Sequence, residues 1–336
     1  MTEVLDFDRP ADWFDEELHR PETDDSRSSH RSRRVPELDT ICLSDFAELD
    51  LPTRKTILHP ILPERSLGML FAGRGIGKTH VALGIGYAVS TGGEFLRWHA
   101  KAPRNVLYVD GEMPQEMLQD RLLKHMAASS VVPEQDAFRL LCMDRQELGM
   151  SINLSVSDDQ KAIEAELRDT DFLILDNMST LTNGGAENDA ESWNAMQEWL
   201  LQLRRRGITV LIVHHAGRSG NARGTSKRED VLDTIVQLKR PSDYLPSDGA
   251  RFEVHLTKAR GLFGDDVEPF EAKLTVTEEN EAIWECCEVG EEDSELKEEV
   301  MERSKAGKSI RVIASELQVK KGKVERILKR ARQSAA

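Results

Sequence analysis

Apolar residues along this chain fall into short runs of four to six, separated by longer stretches in which they recur every three or four positions. The runs at 67–71, 105–109, 172–175, 209–213, 233–238 and 252–257 predict strands. The stretches at 78–90, 115–128, 158–168 and 190–206 predict helices between them. Strand and helix in alternation imply an α/β fold, a mainly parallel sheet covered by helices. The connections around 252–257 and 270–286 are short, which predicts an antiparallel extension of that sheet. Residues 1–40 are acidic and then Arg/Ser-rich, with no apolar periodicity long enough to bury, and are expected to be disordered. Residues 41–290 read as one large domain. An acidic linker then leads into a separate helical unit within 291–336, whose apolar stripes are Leu296, Val300 and Met301, then Ile310, Ile313, Ala314 and Leu317, then Val319, Val324, Ile327 and Leu328.

Composition narrows the class only partly. Of 336 residues, 39% are hydrophobic, enough for a packed core. No apolar run approaches the ~20 residues that a membrane span requires, and the N-terminus lacks the apolar stretch of a secretion signal. Cys42, Cys142, Cys286 and Cys287 show no metal-ligand spacing, so a cytoplasmic chain with reduced thiols is expected, with Cys286 and Cys287 as buried strand residues. The net charge of −15 would disfavour nucleic acid if it were evenly spread. It is not: from 303 to 336, eleven Lys or Arg stand against two Glu, a local +9.

The strand run at 67–71 leads into Ala72-Gly73-Arg74-Gly75-Ile76-Gly77-Lys78-Thr79, the pattern G-x-x-x-x-G-K-[ST] with Ala in its first position. An apolar helix begins at the loop, so a helix N-terminus faces the same point. Glycines there let successive backbone N–H groups turn inward onto phosphate oxygens. Lys78 then reaches the β- and γ-phosphates of ATP, and the Thr79 hydroxyl holds Mg²⁺. The nucleotide-binding set is Gly73, Arg74, Gly75, Ile76, Gly77, Lys78, Thr79 and His80.

Asp171-Phe172-Leu173-Ile174-Leu175-Asp176 is an apolar strand ending in a carboxylate. Asp176 is expected to accept from a Mg²⁺-bound water, on the strand next but one to the phosphate loop or closer. Hydrolysis needs a base to orient water. Val109-Asp110-Gly111-Glu112-Met113-Pro114 places two carboxylates just past a strand. Glu112 is the expected base and Asp110 the rival. His214 and His215 have no third ligand at suitable spacing, so zinc is not expected there.

These motifs resemble the RecA-like P-loop motor ATPases of the DnaB branch, most of all the RepA-type plasmid replicative helicases, over roughly residues 57–276. Glu112-Met113-Pro114 matches the segment where that branch keeps its catalytic glutamate. Leu211-Ile212-Val213-His214-His215-Ala216 matches the strand end that senses the γ-phosphate, with His215 in the sensing position. Thr257-Lys258-Ala259-Arg260 matches a Lys-x-Arg motif whose cations reach the ATP of a neighbouring subunit. The resemblance therefore implies a homo-oligomer, expected as a hexamer, with Lys258 and Arg260 completing each site in trans. The loop Arg218-Ser219-Gly220-Asn221-Ala222-Arg223-Gly224 would face a central channel and touch single-stranded DNA through phosphates.

Residues 306–319 resemble the first two helices of a resolvase-like helix-turn-helix, with Ser309 as an N-cap and 320–328 as its recognition helix, bearing Lys320, Lys321 and Lys323. Duplex DNA is the expected ligand of this unit, and subunit contact the alternative. The leading functional expectation is an ATP-hydrolysing DNA motor, a RepA-like replicative helicase of a plasmid, phage or other mobile element. A recombination or repair ATPase of the RecA/RadA kind is a second reading, and an ATP-switched DNA-binding regulator a third.

Overall fold

The computed structural model describes residues 38–182, 190–217, 229–289, 294–319 and 321–333. The chain divides into two compact units, Met1–Pro52 and Thr53–Ala336. Most of the N-terminal stretch expected to be disordered lies outside the described residues, as do the Arg218–Gly224 loop and Lys320. In the first unit a short helix, α1 (Leu43–Ala47), buries none of its residues.

The second unit is built on a nine-stranded sheet. Two small antiparallel hairpins lie outside that sheet: β1 (Thr56–Leu58) with β2 (Leu62–Pro63), and β4 (Glu94–Phe95) with β5 (Trp98–His99). In chain order the sheet strands are β3 (Leu67–Ala72), β6 (Val106–Asp110), β7 (Phe138–Cys142), β8 (Phe172–Asp176), β9 (Thr209–His215), β10 (Thr234–Lys239), β11 (Arg251–Ala259), β12 (Phe270–Val276) and β13 (Ala282–Glu288). Their spatial order is β13-β12-β11-β10-β3-β9-β8-β6-β7. The strands from β10 to β7 run parallel, and β11, β12 and β13 add an antiparallel meander. The helices between strands are α2 (Lys78–Thr91), α3 (Gln115–Ala127), α4 (Ser157–Leu167), α5 (Met178–Leu181) and α6 (Ala190–Arg205). Strand β7 is an addition to the expected set. It is one edge of the sheet, opposite β13, and only Cys142 of its residues is fully buried, so the sequence Phe138-Arg139-Leu140-Leu141-Cys142 carries no clean apolar run.

Alternation of side chains along each strand divides the core into two layers. Leu70 and Ala72 of β3 face one cluster, and Leu67, Met69 and Phe71 the other. The same split separates Val106 and Tyr108 from Leu107 and Val109, and Phe172 and Ile174 from Leu173 and Leu175. The first layer is closed by α2 with Val81, Leu83, Ile85 and Val89. The second is closed by α4 and α6 with Ile163, Leu167, Trp193, Trp199 and Leu203. Helix α2 is apolar nearly all round because it is buried nearly all round. Gly84 makes that possible, since a Cβ there would stand 2.1 Å from the Phe95 ring.

Three helices follow the sheet: α7 (Ser294–Lys305), α8 (Ile310–Glu316) and α9 (Lys321–Gln333). They share a small core of Val300, Ile313, Ala314 and Val324, flanked by Leu296, Ile310, Leu317, Val319, Ile327 and Leu328. These are the predicted stripes, save Met301. The expected pair of helices within 306–319 is one helix, α8, because Gly307, at φ 79°, closes α7 rather than opening a new turn. Ser309 occupies the N-cap of α8, although its side chain makes no cap hydrogen bond. Cys286 and Cys287 lie on β13 as expected but are half-buried, since that strand is a sheet edge. Among the described residues no helix is long and apolar enough to cross a membrane.

Candidate active site

The ends of four parallel strands meet at one cleft. Register pairs Ala72 of β3 with His215 of β9, and Asp110 of β6 with Asp176 of β8. Strand β9 separates β3 from β8, so Asp176 stands on the strand next but one to the phosphate loop. A cleft of about 450 Å³ opens there, lined by Gly75 to His80, Asp110, Glu112, Asp176, Asn177 and His215 among others. Its position outside the carboxyl ends of parallel strands is where ligands bind in sheets of this kind.

Between Ala72 and Lys78 the chain turns through conformations that only glycine adopts without strain, with Gly75 at φ 69° and Gly77 at φ 126°. A Cβ on Gly77 would also press on the Phe252 ring at 3.2 Å. The loop ends at the N-terminus of α2, with Gly77 as N-cap. Lys78 is 7% exposed as a residue, and its ammonium lies 3.1 Å from the Gly73 carbonyl, 3.3 Å from the Ala72 carbonyl and 3.0 Å from His215 Nδ1. Burial lowers its pKa, and the Asp176 and Glu112 carboxylates oppose that. Arg74 stands exposed at the loop apex, while Ile76 packs against the first core layer. His80 is largely buried, and burial, then Arg121, hold its pKa down at about 3. It therefore lines the cleft as a neutral ring and not as a cation.

Asp176 is 3% exposed and accepts from the buried Tyr108 hydroxyl at 2.6 Å. Burial raises its pKa, and hydrogen bonds from Tyr108 and the Thr79 hydroxyl oppose the rise. Thr79 and Asp176 thus place a hydroxyl and a carboxylate together at the foot of the phosphate loop. Such hard oxygen donors fit Mg²⁺, which takes one or two protein oxygens and completes its shell from phosphate and water.

The two candidate bases do different things. Asp110 is 2% exposed, and its Oδ1 accepts from the Glu112 N–H at 2.9 Å and the Met113 N–H at 2.6 Å. It closes a turn that projects Glu112 into the cleft. Gly111, inside that turn, crosses α5 so closely that a Cβ would meet Thr180 Oγ1 at 2.7 Å. The Glu112 side chain is 59% exposed and lies 3.8 Å from His215 Nε2. His215 therefore stands between the Lys78 ammonium and the Glu112 carboxylate. Sequence reading missed Tyr108, which looks like one more apolar strand position, and Asn177, whose amide donates to Glu112 Oε2. The only local signal for Asn177 was a good helix-cap residue before a four-residue helix, α5.

Burial pushes the Asp110 carboxyl up to about 6 from 3.8, against the two backbone hydrogen bonds. Between those values the folded protein holds a proton that the unfolded chain has lost. Stability should therefore fall as pH rises from about 4 to about 6 and stay lower above it, at about 1.4 kcal/mol per unit of pKa difference. Asp110→Asn keeps an acceptor for both N–H groups and cannot ionise. Measured by denaturant unfolding without nucleotide or metal, its stability should lack that component of the decline. An identical pH profile for parent and variant would contradict this account of Asp110.

Lys258 and Arg260 are not in this cleft. Strand β10 pairs Thr234 with Gly68 and Leu238 with Ala72, while β11 pairs Ala259 with Thr234. The two cations thus sit at the opposite end of the sheet from the chain's own phosphate loop. There Lys258 donates to the carbonyls of Glu229 and Asp230, and Arg260 to that of Asp230. Among the described residues no group of three or more His, Cys, Asp or Glu could hold a metal ion by itself.

A glycine-lined loop between a central parallel strand and a helix, an Asp-ended strand one strand removed, and a carboxylate opposite both define a RecA-like P-loop ATPase. A family model described as an AAA domain, AAA_25, matches residues 31–221, more than half the chain, and the chain belongs to that family. Among solved structures it is similar to a KaiC-like protein of the hyperthermophilic archaeon Pyrococcus horikoshii OT3, at 12% identity over 66% of this chain and 90% of that one, with a TM-score of 0.44. No curated protein matches by sequence.

Proposed function

We propose that this ATPase is Mg²⁺-dependent, assembles as a homo-oligomer and works on DNA as a motor of the RepA-like replicative helicase kind. The observation that carries the reading is the gathering of Lys78, Thr79, Asp176, Glu112 and His215 in one cleft. Together they supply what phosphoryl transfer to water requires. The backbone N–H groups from Gly73 to Gly77 and the Lys78 ammonium take the β- and γ-phosphates. Thr79 and Asp176 hold the metal, which when bound neutralises charge on the phosphates. Glu112 orients the attacking water and takes its proton. His215, between Lys78 and Glu112, responds to the γ-phosphate. A nucleotide sensor needs only the first two of these sets, so Glu112 and His215 favour turnover.

Two further features support the DNA and assembly parts. Lys258 and Arg260 lie too far from the chain's own phosphate loop to serve it, which suits cations that complete a neighbour's site. An added guanidinium there stabilises charge developing on the γ-phosphate. Residues 303–336 carry a net +9, and the α7–α9 segment as a whole, with four glutamates in α7, still carries a net +6, which an anionic partner offsets. Lys321 opens α9 at the place where a recognition helix meets a duplex.

The experiment is strand displacement on a forked duplex with ATP and Mg²⁺, read beside native mass. Displacement by a species of several chains is expected. DNA-stimulated hydrolysis without displacement points to a recombination-type ATPase. Nucleotide-dependent duplex binding without steady turnover points to a regulator.

A further inference from the structure

We propose that Asn177 positions the Glu112 carboxylate and ties it to helix α5, an inference that rests on Glu112 being the base of an ATPase site. Asn177 follows Asp176 at the end of β8 and is 3% exposed. Its Oδ1 accepts from the Ser179 N–H at 3.0 Å and the Thr180 N–H at 3.3 Å, the leading donors of α5. A carboxamide has one accepting end and one donating end, so this cap decides which end faces the cleft. The donating end, Nδ2, meets Glu112 Oε2.

The contact matters because Glu112 is otherwise loosely held. A side chain 59% exposed, with three rotatable bonds, keeps a single rotamer only where something fixes its end. The backbone of the same segment also rests on α5. The Gly111 N–H donates to the Asp176 carbonyl at 2.8 Å, and a Cβ on Gly111 would stand 2.7 Å from Thr180 Oγ1 and 2.8 Å from the Leu181 side chain. Thr180 Oγ1 in turn donates to the Asn177 carbonyl at 2.9 Å. The turn made by Asp110 sets where the base segment goes, and Asn177 sets where its carboxylate points. A charge-assisted hydrogen bond of this kind leaves ground-state nucleotide binding alone and acts on the geometry of the attacking water.

The test uses the full-length chain. Asn177→Ser and Asn177→Asp both keep a good helix-cap acceptor and remove the donor to Glu112. Each should lower kcat by about 10- to 100-fold, the scale of a misplaced catalytic group. The KM for ATP and the affinity for a non-hydrolysable analogue should stay close to the parent's. In a Glu112→Gln background the same changes should cost no further turnover. Parental kcat in Asn177→Ser, loss of nucleotide binding in step with kcat, or an equal further loss in Glu112→Gln overturns the proposal. If the parent hydrolyses no ATP, the ATPase reading fails on its own account, and melting temperatures still decide the contact. Asn177→Ser should then lower the parent's Tm and leave that of Glu112→Ala unmoved, and equal shifts in both would sink it.

Discussion

Lys78→Ala is expected to lower ATP turnover by at least about 10²- to 10³-fold, the scale seen when one preorganised donor to developing charge is removed, and to weaken nucleotide binding as well. The residue is 7% exposed, and its ammonium is held by the carbonyls of Ala72 and Gly73 and by His215 Nδ1. Burial makes the charge costly and lowers its pKa, so the cation has been kept at the one place where a triphosphate would offset that cost. The fold should tolerate the change. Alanine is a better helix former than lysine at the start of α2, and removing a buried cation relieves its desolvation. Thermal unfolding with and without Mg-ATP is the measurement. The variant should melt near the parent temperature and lose the ATP-induced rise, and a rise of parental size would refute the assignment of Lys78.

Glu112→Gln is expected to bind ATP as the parent does and to turn it over about 10²- to 10⁴-fold more slowly, the usual contribution of a general base. The substitution keeps length and shape, and a glutamine oxygen still accepts from Asn177, so the cleft should be unchanged. Binding is read by titration of the metal–nucleotide complex and turnover by phosphate release. Asp110→Asn is the paired control. Its side chain holds the backbone of the Glu112 turn and is 2% exposed, so its turnover should fall far less. If Glu112→Gln hydrolyses at the parental rate while Asp110→Asn does not, Asp110 is the base.

Much of the sheet was legible from periodicity because its parallel strands are buried on both faces and read as unbroken apolar runs. The runs at 67–71, 172–175 and 209–213 became β3, β8 and β9, with ends moved by no more than two residues. Strand β7 was not legible, since an edge strand with half-buried residues has no need of such a run. Helix α5 was not legible either, because four residues after an Asn cap carry no period. In the site, Lys78, Thr79 and Asp176 could be named from sequence alone. Glu112 could be named there as the base with Asp110 as its rival, but that Asp110 accepts from the Glu112 and Met113 N–H groups could not be read from the sequence.

What the sequence determined by itself was local: the phosphate loop, with the strand before it and the helix after it, spans one continuous stretch from Leu67 to Thr91. Its glycines, lysine and threonine act through neighbours a few residues away, so their spacing suffices to define the chemistry. What only the tertiary structure decided depends on strand order and register. Those decide that His215 reaches Lys78 across 137 residues, that Asn177 reaches Glu112 across 65, and that Lys258 and Arg260 stand at the far end of the sheet. Hydrophobic periodicity states which residues face a core and not which strand lies beside which. The partners of a catalytic side chain are therefore set by backbone ladders between strands distant in sequence.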